Sequence, residues 1–138
     1  MTRHVITLNA GSSSIKFALF ALDDATPHVL VTGLAEMLSD ERRLAVRDAA
    51  NTVVHDDQWS PGSGMPFHTD ALQRILAWRR EAFPDANVVA AGHRVVHGGI
   101  YFDAPVIVTD DVLQRLQALV PLAPLHQPYS IAGILAAR

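Results

Sequence analysis

The residues from Asn9 to Lys16 are the first in the chain equipped for chemistry: Asn9-Ala10-Gly11-Ser12-Ser13-Ser14-Ile15-Lys16. A glycine lets the backbone come close to a ligand. Successive turn amides can converge on an anion as a nest. Ser12 and Ser14 add hydroxyl donors, and Lys16 adds a point positive charge. Asn9 offers a neutral amide oxygen of the kind that ligates Mg2+ or orients one of its waters. These are the requirements of phosphate binding. The stretch lacks the second glycine and the Lys-Ser/Thr pair of a Walker loop, so P-loop logic does not carry the reading. The same residues also make an ordinary serine-rich surface turn.

A second segment reads Ala91-Gly92-His93-Arg94-Val95-Val96-His97-Gly98-Gly99. The guanidinium of Arg94 can grip a carboxylate or phosphate through two parallel hydrogen bonds. Val96 lies two residues on, which on a strand puts it on the same face as an apolar wall. The competing role for Arg94 is a structural pairing with an acid. His93 and His97 have the i, i+4 spacing that suits zinc on a helix. The valines and flanking glycines favour a strand instead, and there is no His-Glu-x-x-His.

A third segment, Leu122-Ala123-Pro124-Leu125-His126-Gln127-Pro128, holds one histidine between prolines. Prolines restrict the backbone, so His126 has little freedom. Held this way it could donate a hydrogen bond to developing phosphoryl charge. It could equally cap the next helix or be a satisfied core histidine.

The elements that must position these residues follow from patterning. His4 to Leu8 and Lys16 to Leu22 are apolar runs separated by a short turn, which favours an antiparallel hairpin. Asp23 to His28, with Pro27, reads as a polar break before a third strand from Val29 to Leu34. Arg43 to Arg47 alternates and pairs with Asn51 to His55 across Asp48-Ala49-Ala50. Ser60 to Pro66 is a loop. Thr69 reads as the N-cap of a helix whose apolar positions are Leu72, Ile75, Leu76 and Phe83, closed by Pro84. Asn87 to Val96 reads as a strand. Thr109 caps a second helix, Pro121 to Pro128 is an extended connector, and Ile131 to Arg138 begins another helix. That last apolar run needs something to pack against. Strands followed by alternating helix and strand give a mixed α/β fold.

The chain has 138 residues, 49% hydrophobic and 18% charged, with a formal net charge of -3. That composition is globular rather than disordered and fits one domain. The charge leaves no electrostatic footprint for nucleic acid or an anionic membrane. No stretch approaches the roughly 20 apolar residues of a membrane span. There are no cysteines, so disulfides and thiolate metal sites are excluded. With no signal peptide visible, the expected location is cytoplasmic.

Together, in order and spacing, the three segments resemble the N-terminal part of the acetate and propionate kinase family. The resemblance implies an α/β, ribonuclease-H-like domain of the kind shared by sugar kinases, Hsp70 and actin. It implies reversible, Mg2+-dependent transfer of the terminal phosphoryl group of ATP to acetate, giving acetyl phosphate and ADP. Carried over by residue, Asn9 would help place Mg2+, and Gly11, Ser12, Ser14 and Lys16 would face the ATP phosphates. Arg94 would bind the acetate carboxylate or the acyl phosphate. Val96 and Leu125 would line the methyl pocket, and His126 would lie near the transferred group.

The resemblance also implies an enzyme about three times longer with a second domain, and a homodimer in full-length form. Residues 1–138 are then the acyl-substrate and phosphate-binding domain, expected to be inactive without the nucleotide domain. Propionate as preferred substrate and a non-catalytic anion-binding or interaction module are the alternatives.

Overall fold

Alternation of apolar and polar residues builds the sheet. The computed structural model describes residues 2–23 and 26–138. Six strands form one sheet: β1 (Arg3–Ala10), β2 (Ser14–Asp23), β3 (Thr26–Met37), β4 (Arg42–Asp48), β5 (Val53–Trp59) and β6 (Asn87–His93). Their spatial order is β5-β4-β3-β2-β1-β6. The first five form an antiparallel meander, and β6 joins β1 in parallel. Helices α1 (Phe67–Ala82), α2 (Asp110–Ala118) and α3 (Gln127–Ala137) complete the domain. None is long and apolar enough to cross a membrane.

One sheet face is the core. Ile6, Leu8, Ile15, Phe17, Leu19, Leu44 and Val46 pack against Phe67, Ala71, Leu72 and Ile75 of α1. Their sequence neighbours Thr7, Asn9, Lys16 and Arg47 are exposed on the other face, as the two-residue period requires. A smaller cluster joins α2 and α3 through Val112, Leu113, Leu116, Ile131 and Ile134. The apolar run of α3 therefore finds its cover within the chain, against α1, β1 and α2. Gly33 of β3 lies directly beneath the Phe17 ring, where a Cβ would collide with it. Phe17 is buried, so Gly33→Ala is expected to cost about 1–3 kcal/mol by overpacking, read as a lower urea midpoint.

Several boundaries differ from the patterning. β3 begins at Thr26, so Pro27 and His28 belong to the strand, opposite Leu22 and Ala21. Proline is tolerated there because β4 pairs with β3 only from Val31 onward, leaving that side open. Asp24 and Ala25, the rest of the expected break, lie outside the described residues. Asn51 is in the turn rather than in β5, with φ 65°, and Asp48 Oδ1 accepts from the amides of Ala50 and Thr52.

α1 starts after Pro66, so Thr69 is inside the helix rather than its cap. Burial of Phe67 and His68 draws that earlier turn into the helix. Asp70 pairs with the buried Arg42 and accepts from Trp59 Nε1 at 3.1 Å. Thr109 does cap α2, accepting from the Val112 amide at 3.3 Å. The proline segment is not extended: a 3-10 turn spans Val120–Leu122, and α3 begins at Gln127.

Candidate active site

The turn between β1 and β2 is held at three points. The Gly11 amide donates to the Ser14 carbonyl at 2.8 Å, closing the turn. The Met37 amide donates to the Ser13 carbonyl at 2.9 Å, tying the turn to the end of β3. His68 Nε2 donates to the Gly11 carbonyl at 2.6 Å from the helix side. Ser12 stays exposed and Ser14 partly so.

The hairpin register makes Asn9 and Lys16 direct cross-strand partners on the open face. Leu8 is paired with His93, and the Arg94 amide donates to the Leu8 carbonyl at 3.0 Å. Arg94 thus continues the same row beside Asn9. Asn9, Lys16 and Arg94 all line one open hollow of about 700 Å³, shared with Thr7, Thr32 and Arg47. β6 ends at His93, so Arg94 and Val96 lie beyond the strand, and the two-residue period does not relate them. Farther along, Gly99 has φ 58°, and its amide donates to His97 Nδ1 at 2.8 Å.

Val96, Leu125 and His126 stand outside the hollow. Val96 is 52% and Leu125 75% exposed, and His126 is exposed at the start of α3, where its side chain makes no capping hydrogen bond. Sequence reading missed how these two segments are joined. Gln127 is fully buried; its Oε1 accepts from the His97 amide at 3.2 Å, and its Nε2 donates to the His97 carbonyl at 3.1 Å and the Leu116 carbonyl at 3.3 Å. One side chain thus ties the Arg94–Gly99 segment to the Leu125–His126 segment. A glutamine next to a proline carries no sequence signal of burial. Gln127→Leu leaves the His97 backbone groups unpaired and is expected to cost about 1–3 kcal/mol in urea denaturation.

Burial lowers the pKa of His93 from its ordinary 6.5. The unfolded chain then binds this proton more readily than the folded one, so stability is present above about pH 6.5 and is lost as pH falls. The urea midpoint is expected to drop between about pH 7 and pH 5, and His93→Asn to flatten that drop.

No group of three or more His, Cys, Asp or Glu that could hold a metal occurs among the described residues. The donors at the turn are neutral: the Asn9 amide oxygen and serine hydroxyls. Such a set fits a partial shell for Mg2+, which keeps several waters and takes phosphate oxygens as further ligands.

The same architecture occurs in solved kinases. The chain superposes on the acetate kinase of Porphyromonas gingivalis with a TM-score of 0.78 at 31% identity, covering 97% of this chain and 33% of that one. A propionate kinase from Francisella tularensis matches with a TM-score of 0.77 at 34% identity, covering 98% and 33%. The fold is therefore that of the sugar kinase and actin-like proteins. The Acetokinase family pattern matches residues 4–138, and the chain belongs to that family. It is 58% identical to the acetate kinase of Methylocella silvestris over its whole length, which is 36% of that protein. The chain spans about a third of the length of the curated relatives it matches.

Proposed function

We propose that residues 1–138 are the acyl-substrate and phosphate-binding domain of an acetate kinase. The observation that carries this reading is the position of Asn9, Lys16 and Arg94, side by side on the open face next to an exposed glycine-serine turn. In the reaction, an acetate carboxylate oxygen attacks the γ-phosphorus of ATP. The bond from that phosphorus to the β,γ-bridging oxygen breaks, and ADP leaves with its electron pair. Acetyl phosphate is the product, and the reverse path returns ATP.

Such a transition state is loose, so the protein's work is positioning and charge stabilisation. The Gly11 turn, Ser12, Ser14 and Lys16 hold the phosphates. Arg94 orients the carboxylate through its fork and meets the charge on the transferred group. Val96 and Leu125, exposed outside the hollow, take the role of methyl wall, and His126 that of donor to a phosphoryl oxygen, on the family resemblance alone. Asn9 would hold Mg2+ in part, and the ion would supply neutralisation of phosphate charge. The enzyme so read is cytoplasmic and acts on small molecules as a homodimer.

A second reading, propionate as acceptor, draws support from the propionate kinase among the structural neighbours. One methylene changes kcat/KM by about 10–200-fold, so comparing the two acids separates the readings. The main test joins this chain to the remaining part of the Methylocella silvestris acetate kinase and follows acetyl hydroxamate formed from acetate, ATP and hydroxylamine. The joined protein is expected to turn over and the 138-residue chain alone to be inactive. An inactive but folded and nucleotide-binding chimera would count against the reading.

A further inference from the structure

The Gly11–Ser14 turn is made of small residues with no rigidity of their own, so something else must aim it. Its inward-facing carbonyl, on Gly11, accepts from His68 Nε2 at 2.6 Å. His68 is the second residue of α1, 57 positions away in sequence and only 8% exposed. Its ring meets Phe67 edge-on, with centroids 5.2 Å apart, and stacks on Tyr129 of α3 at 5.5 Å with planes 25° apart. α3 approaches the turn closely because residue 133 is glycine: a Cβ there would sit 3.0 Å from Ala10 Cβ.

The consequence follows from peptide geometry. The Gly11 carbonyl and the Ser12 amide belong to one planar trans unit, so they point in opposite directions. A carbonyl fastened toward the helix layer sends the Ser12 N–H outward, away from that layer. We propose that His68 is a positioning residue that fixes the Gly11–Ser12 peptide with its N–H presented to phosphate. Its stack on Tyr129 also couples the turn to the start of α3, next to Leu125 and His126. This rests on the phosphate-binding reading of the turn.

Two variants separate the roles of the ring. His68→Phe keeps an aromatic against Tyr129 and removes the donor, whereas His68→Gln restores a donor able to reach a carbonyl. In the 138-residue chain, 15N–1H spectra recorded with and without Mg2+ and inorganic pyrophosphate read the Ser12 amide directly. The wild-type His68 ring is expected to show a protonated Nε2. Pyrophosphate is expected to shift the Ser12 amide in the wild type, about tenfold more weakly in affinity for His68→Phe, and close to wild type for His68→Gln. In the Methylocella chimera, His68→Phe is expected to raise KM for ATP about tenfold and leave KM for acetate unchanged. A merely structural role would lower the active fraction, and so apparent kcat, without moving KM for ATP.

Lys16→Ala is the control. If it weakens pyrophosphate binding and His68→Phe does not, the positioning role is overturned while the phosphate reading stands. If neither weakens it, or the wild type does not respond, the phosphate reading falls and the proposal with it. An unprotonated Nε2 overturns the proposal on its own.

Discussion

Asp70→Ala is expected to remove about 3–5 kcal/mol of stability, a large share of the roughly 5–15 kcal/mol that holds a domain folded. The reason is its partner. The Arg42 side chain is 8% exposed and that of Asp70 16%, so the pair is largely shielded from water. Arg42 also donates to the Met65 carbonyl at 3.0 Å and lies over the Phe67 ring, 5.6 Å from its centre. Without Asp70, a guanidinium remains in the core with only a carbonyl and a ring face, and Trp59 Nε1 loses its acceptor. The pair itself need not be strongly stabilising, because desolvation offsets much of its attraction. The double variant Arg42→Met/Asp70→Leu is therefore expected to recover most of the loss. Urea denaturation of all three chains checks both statements. A loss below about 1 kcal/mol for Asp70→Ala would sink the account.

Arg94→Ala has the opposite profile. Arg94 is exposed, so the stability of the 138-residue chain is expected to change by less than about 0.5 kcal/mol. In the chimera, kcat/KM for acetate is expected to fall about 10²–10³-fold, the usual effect of removing a donor aimed at developing charge. Arg94→Lys is expected to recover little, since an ammonium cannot supply the planar fork. Steady-state kinetics over acetate concentration would decide. A fall of less than about threefold would make Arg94 a bystander and remove the carboxylate grip from the proposed mechanism.

The strands and most of the core were legible because burial of one sheet face imposes a two-residue period. Ile15, Phe17, Leu19 and Leu44, Val46 are buried on that period, and Lys16 between the first two and Arg47 after the last are exposed. Boundaries were less legible, because they depend on neighbours outside the segment. Pro27 looks like a strand breaker until β4 is seen to leave its side of β3 open. Thr69 looks like a cap until Phe67 and His68 are buried, which starts the helix three residues earlier. Val95 and Val96 look like strand residues, yet pairing with β1 ends at His93.

The Asn9–Lys16 segment, Arg94 and the order of the three motifs were written in the sequence alone, because residue type and spacing within a few positions determine turn chemistry and strand phase. From them came the family; the α/β class came from the succession of strand and helix patterns. The tertiary structure decided what brings the motifs together. Parallel pairing of β6 with β1 sets Arg94 beside Asn9, across some 80 residues of chain. His68 reaches Gly11, Gln127 reaches His97, and Asp70 reaches Arg42. Each of these contacts joins residues far apart in the chain through a partly buried hydrogen bond or ion pair. Local sequence carries no period or spacing for such a contact, since it exists only once the helices have packed on the sheet.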